Sequence, residues 1–445
     1  MPDIGNLKVQ VYRGNTLVPI NNARVTITPT EETRQQVMLQ TNAVGQTEVI
    51  PLQTPPLELS LDPNNRIKPY SICDVTVDAE GYENLIVKGC QILPETTALQ
   101  ICNLTPLTRE TIEPITQVIV VPPNRQFGDF PPKIPEDPDK PLPPPPSGFV
   151  VLPAPVIPEF IVVHAGAPSN TAAPNYTVRF PDYVKNVASS EIYATWDEKA
   201  VRANIHCIIS FALNRVFTEW YRSKGYNFQI TNSTAFDQAF TFGRNIFDNI
   251  SRIVDEIFTT YVRRIGAKQP LLTQYCDGNR VQCPGWLTQW GSQSLATQGY
   301  TPFQILTNFY GTNIELVQAE KVSGIPTSYP GYTLRIGSSG APVRTVQTFL
   351  NRIAQNYPLI PKVAVDGAYG PATANAVKVF QGIFNLPQTG EVDLATWFKI
   401  SALYVGVTKI AELRTTIPPK HRERTFVPPV AFRNSTNIPT VTYME

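Results

Sequence analysis

Residues 121–159 read VPPNRQFGDFPPKIPEDPDKPLPPPPSGFVVLPAPVIPE, and this one stretch holds a large share of the chain's 43 prolines. Proline fixes φ at about −65° and removes a backbone donor, so neither a helix interior nor a central strand can run through such a segment. A chain of 445 residues also exceeds what one hydrophobic core organises. The expected architecture is therefore multidomain α+β, with units over residues 1–115, 161–325 and 330–410, a proline-rich linker over 116–160 and a tail over 411–445. The linker is expected to be an extended polyproline II spacer exposed to proteases.

Lys plus Arg total 37 against 36 for Asp plus Glu, a formal charge of +1. A balance this close to zero supplies no field for nucleic acid or anionic lipid, so neither a nucleic acid nor a membrane is expected as partner, and an uncharged polymer fits better. The start, MPDIGNLKVQVYRG, lacks the cationic and apolar regions of a secretion signal, and no stretch reaches the roughly 18 apolar residues of a membrane span.

Before residue 102 the pattern has period two. Leu7, Val9 and Val11 alternate with polar residues, as do Val75 and Val77, which predicts an N-terminal β-sandwich. Beyond the prolines the period changes. Val201, Ile205, Ile208, Ile209, Ala212 and Val216 recur at helical spacing, and TWDE reads as a Thr195 to Glu198 capping box at that helix's start. Ile246, Ile250, Ile253, Val254 and Ile257 share the face of a second helix. From Leu334 onward, helical patterns over 343–354 and 371–384 and a third from Leu394 predict a compact three-helix module, with Phe380 and Trp397 in its core.

The chemistry-bearing candidates are few. In VASSEIYATW, Glu191 lies between serines and an aromatic pair, Tyr193 and Trp196, and reads either as a loop charge or as an acid with an apolar wall. Gln289, Trp290 and Gly291 set an amide beside an aromatic ring, which suits stacking and hydrogen bonding to a ligand or, for Trp290, core packing. Cys276 and Cys283, with six residues between them in QYCDGNRVQCPGW, read as half a zinc site or as a disulfide; no other cofactor is expected. His206 reads as a packed helix residue, and His164 has no assigned role.

Three resemblances sharpen this reading. VDGAYGPATANAVKVFQ followed by LPQTGEVDLATW closely resembles the peptidoglycan-binding module of wall-lytic enzymes, which implies ligand contacts at Asp366, Gly367, Tyr369, Gly370 and Gln381. VASSEIYATW together with TQWGSQSLATQGYTPFQILTNFYG resembles the SpoIID/LytB family of lytic transglycosylases, whose catalytic glutamate falls on Glu191. TNAVGQTEV and VDAEGYENL resemble turn and strand phrases of transthyretin-like, carboxypeptidase-regulatory domains.

In this order the three units resemble the spore cortex-lytic enzymes. That resemblance implies a zymogen deposited from the mother cell in the cortex and coat region, without a signal peptide. It implies processing by a subtilisin-like Csp germination protease near Val150, in SGFVVLPAP, and action on cortex peptidoglycan containing muramic δ-lactam. A glycosidase needs two carboxyl groups, whereas a lytic transglycosylase works with one that starts protonated, a state that desolvation favours. The rivals are a zinc amidase acting on the stem peptide and a non-catalytic cortex-binding protein.

Overall fold

The computed structural model describes residues 2–30, 35–107, 116–137, 139 and 154–408. The processing position Val150 and the tail over 411–445 lie outside them.

The period-two segments form two facing sheets. Strands β1 (Asp3–Arg13), β2 (Arg24–Pro29), β3 (Val37–Gln40), β4 (Ile50–Thr54), β5 (Ser71–Asp78), β6 (Asn84–Ile92), β7 (Thr97–Leu104) and β8 (Thr116–Val120) divide into β7-β1-β4 and β3-β2-β5-β6-β8. Leu7, Val9, Val11, Val75 and Val77 are all fully buried between them, as alternation requires of a face that meets another sheet. One short helix, α1 (Glu58–Leu61), lies between β4 and β5. The linker boundary shifts here, because β8 begins where the spacer was expected and pairs in parallel with β6, Ile86 opposite Val118.

The central unit is built on α2 (Phe180–Glu191), α3 (Glu198–Phe217), α4 (Asp248–Ile257), α5 (Gln289–Thr297) and α6 (Pro302–Tyr310), with short sheets at its periphery. Ile205, Ile208, Ile209, Phe211 and Ala212 of α3 are fully buried, so this helix is surrounded rather than amphipathic. Two local expectations fail. Asp197, not Thr195, caps α3 by accepting from the Lys199 amide at 2.8 Å, while Glu198 turns outward to Arg202 and Arg252. Ile246 leaves the helix and pairs, in a two-residue strand with Phe247, on β7 of the sandwich.

The C-terminal module has the three expected helices, α7 (Ala341–Ile353), α8 (Pro371–Ile383) and α9 (Leu394–Thr408), with Phe380 and Trp397 buried. Its α9 packs on α4, where Phe258 meets Phe398 edge to face at 5.2 Å. Beside that contact Asp255 holds Lys185 at 2.7 Å and Lys399 at 3.4 Å. Burial disfavours the Asp255 carboxylate, but the two lysines outweigh it and keep its pKa below the ordinary value. The sandwich also meets this module: the Tyr357 hydroxyl donates to Leu17 O at 2.7 Å, and Gln46 Nε2 to Ile383 O at 2.8 Å.

Candidate functional site

Glu191 is the last residue of α2, not a loop residue ahead of α3, and its side chain is fully buried. Oε1 accepts the Ala239 amide at 2.6 Å. Oε2 has no hydrogen bond, and the nearest cation is Arg125 Nη1 at 3.8 Å. Tyr275 is the third neighbour. Burial first, then the charge of Glu191, push the Tyr275 phenol well above its ordinary pKa. A relay stands behind this tyrosine: Tyr183 OH donates to Gln238 Oε1 at 2.9 Å, and Gln238 Nε2 donates to Tyr275 OH at 3.0 Å. The carboxyl group is thus held by one backbone amide, with a neutral phenol nearby and its second oxygen without a hydrogen bond.

What covers that oxygen is the proline-rich segment. Residues 122–137 are not a solvated spacer; they lie as a strap in the groove beside α2, α3 and the strand Tyr275–Cys276. Asn124 Nδ2 donates to Ser189 O and Ile192 O, and the Arg125 amide donates to Ser190 O at 2.8 Å. Gln126 Nε2 bridges Glu191 O at 2.6 Å and Gln289 Oε1 at 2.7 Å. Farther along, Lys133 is buried over the rings of Phe211 and Tyr275 and donates to Asp237 O. Glu136 then grips Arg215 with both carboxylate oxygens. Burial, reinforced by Arg125, lowers the Lys133 pKa to about 7, with Glu191 and Asp237 opposing the shift. Prolines exclude helix and central strand, as anticipated, and beyond a turn in which the Asn124 carbonyl accepts the Phe127 and Gly128 amides the segment gives polar groups to its neighbours.

Tyr193, Trp196 and Trp290 form one aromatic cluster. Trp196 lies 6.0 Å from Tyr193 and 4.8 Å from Trp290, with Tyr193 and Trp290 at 6.2 Å. The sandwich closes it, since Trp196 Nε1 donates to Ser60 O at 3.0 Å and the Thr195 hydroxyl to Ser60 Oγ at 2.8 Å. Gln289 is fully buried at the start of α5. Gly291 is required by close approach, because a Cβ there would stand 2.1 Å from Thr288 Oγ1.

Cys276 and Cys283 form a disulfide, which corrects the zinc alternative: neither sulfur is free to ligate. Among the described residues no group of three or more His, Cys, Asp or Glu side chains could hold a metal, and no helix is long and apolar enough to cross a membrane. His206 is buried, which depresses its pKa to about 4. His164 stacks on Phe228 at 4.5 Å, and its Nδ1 meets Asn175 Oδ1.

In the C-terminal module two glutamines play one role twice. Gln347 Oε1 accepts the Gly367 amide while its Nε2 donates to Asp366, Ala368 and Thr373; Gln381 Oε1 accepts the Gly390 amide while its Nε2 donates to Thr389, Glu391 and Thr396. Of the ligand contacts implied by resemblance, Gly367, Tyr369 and Gln381 are buried, and Tyr369 OH is taken by Gly390 O at 2.8 Å. Asp366 is exposed and Gly370 partly so.

Sequence reading missed the strap and the residues that seat it, together with Tyr275, Asp237 and Arg215. The visible signal was the polar set Asn124, Arg125, Gln126, Lys133 and Glu136 scattered among prolines, where an idle spacer needs no such side chains.

Residues 339–400 match the family model of a putative peptidoglycan-binding domain. No curated protein and no solved structure matches the chain in the same comparisons. The C-terminal module is a peptidoglycan-binding domain, and peptidoglycan is the partner it supports.

Proposed function

We propose that the chain is the inactive precursor of a spore cortex-lytic enzyme of the SleC type, a lytic transglycosylase with a SpoIID-like catalytic domain. The observation that carries this reading is a fully buried carboxyl group with one unsatisfied oxygen, held at the end of α2 beneath a strap, in a chain that also carries a peptidoglycan-binding domain.

In the proposed reaction protonated Glu191 gives its proton to the glycosidic oxygen between N-acetylmuramic acid and N-acetylglucosamine, and the bond from that oxygen to muramic C1 breaks. The resulting carboxylate takes the proton of the muramic C6 hydroxyl, whose oxygen closes on C1. A 1,6-anhydro ring forms and no water is consumed, so a single carboxyl group suffices. The Ala239 amide keeps Glu191 aimed through both steps, with the neutral Tyr275 phenol beside it. Departure of the sandwich, whose Ser60 holds Trp196, exposes the cluster of Tyr193, Trp196 and Trp290 for sugar stacking.

In this reading a subtilisin-like Csp protease cuts near Val150 during germination, and the strap leaves with the sandwich to which β8 joins it. The substrate is cortex glycan with muramic δ-lactam. Incubating the full chain, cut in the proline-rich segment, with cortex sacculi tests the reading. Anhydro-muropeptides support it; new free alanine amino termini indicate an amidase, and unchanged sacculi a binding protein.

A further inference from the structure

Arg215 is a polar group of the groove that the reaction scheme leaves unused. It stands in the last turn of α3 with its side chain 1% exposed. One edge is fixed from within the domain, Nε donating to Asp237 Oδ1 at 2.8 Å. Asp237 is itself held on its other oxygen by Tyr221 OH at 2.6 Å, the Thr231 amide at 2.9 Å and the Thr231 hydroxyl at 2.7 Å. The rings of Phe211 and Trp220 each lie 4.9 Å from the guanidinium carbon.

The other edge faces the strap. Nη1 and Nη2 take the two oxygens of Glu136 at 3.0 and 2.5 Å, the paired geometry by which arginine recognises a carboxylate. Glu136 is foreign to the domain and precedes the proline-rich cut, so it departs with the strap. The edge it vacates stays rigid, because Asp237 and the rings fix the guanidinium without it. A neutral glycan backbone offers nothing of this shape. The stem peptides of peptidoglycan do, through their free carboxylates. Lys133 lies between the two ends of the groove, over the Tyr275 ring and donating to the carbonyl of Asp237, whose side chain holds Arg215.

We infer that Arg215 is a carboxylate-binding subsite, filled by Glu136 in the intact chain and by a stem-peptide carboxylate of peptidoglycan once the strap has left. The inference rests on reading the groove as the glycan site. It places a stem-bearing muramic residue at a fixed distance from the bond that is cut, so cleavage falls at a preferred spacing from peptide-bearing units.

The test uses the full chain cut in the proline-rich segment and carrying Glu191→Gln, so that bound glycan stays whole. Binding is measured to purified strands bearing stem peptides and to the same strands stripped of them, with and without Arg215→Lys. Lysine keeps the charge and loses the fork. The expected result is about a tenfold loss of affinity for stem-bearing strands and no change for stripped ones. The peptidoglycan-binding domain contributes equally to both proteins and cancels. An equal effect on both strands, or none on either, overturns the inference. Should Arg215→Lys fail to fold, as shown by its circular dichroism, the Glu191→Gln chain is challenged with a stem peptide and its fully amidated form. Competition by the acid alone supports the subsite, and equal competition overturns it. Absence of anhydro ends in the sacculus assay would count against the reaction scheme, while these binding differences would still stand or fall on their own.

Discussion

Lys133 gives the strap a pH-dependent seat whose size follows from its surroundings. Its ammonium is buried against Phe211 and Tyr275, and its pKa falls to about 7 from an ordinary 10.5. A seated lysine with a depressed pKa binds fewer protons than the same lysine in water. Strap seating is therefore penalised in full below pH 7, and it strengthens as pH rises from 7 towards 10.5. The whole shift corresponds to about 5 kcal/mol, and the part falling between pH 6 and 8 to a factor of about ten. Lys133→Met keeps the packed stem and removes the titration. The readout is hydrogen exchange of the Arg125 amide, which bonds Ser190 O across the groove, corrected for intrinsic rates. Relative to Lys133→Met, the wild-type amide should gain about tenfold in protection from pH 6 to pH 8. The groups nearest the lysine, Arg125, Glu191, Asp237, Arg215 and Tyr275, are common to both proteins and cancel in the ratio. Parallel pH profiles for the two proteins would refute the reasoning.

Three further perturbations address separate parts of the molecule. Tyr275→Phe in the cut chain should lower turnover on sacculi by about tenfold or more while leaving glycan binding unchanged, as a steady-state split of kcat from KM would reveal. Replacing Cys276 and Cys283 by serine opens a short loop, and the central unit should lose about 2.5 kcal/mol, seen as a lower urea midpoint. Gln381→Ala removes a buried amide bonded to Gly390, Thr389, Glu391 and Thr396. At about 1 kcal/mol for each bond, it should lower the unfolding temperature of the C-terminal module, while sedimentation with peptidoglycan well below that temperature persists.

What the chain disclosed before folding was what depends on neighbours in sequence. The alternation of Leu7, Val9 and Val11 placed them in a sandwich core, and the helical spacing through Ile205 and Ile209 placed α3, because a single face or a buried run leaves a local period. The three helices of the peptidoglycan-binding domain were legible for the same reason. The Thr195 to Glu198 capping box failed through a distant competitor: Ser60, 135 residues earlier, takes the Thr195 hydroxyl, and Asp197 caps instead. The strap failed in the same way on a larger scale. Gln126 meets Gln289 across 163 residues and Glu136 meets Arg215 across 79, and no local pattern announces such pairs. Composition rightly excluded helix and central strand from residues 122–137, but it missed their turn at Asn124 and their setting.

The central claim is that Glu191 cuts glycan once the strap is gone, and the direct measurement is the chemistry of the ends it makes. The full chain and its Glu191→Gln variant are each cut in the proline-rich segment and incubated with cortex sacculi, and the released muropeptides are analysed by mass. The account predicts 1,6-anhydromuramic ends from the wild type, lighter by one water than hydrolytic products, and none from Glu191→Gln despite equal sedimentation with the sacculi. Anhydro ends from Glu191→Gln, or reducing muramic ends from the wild type, would contradict it.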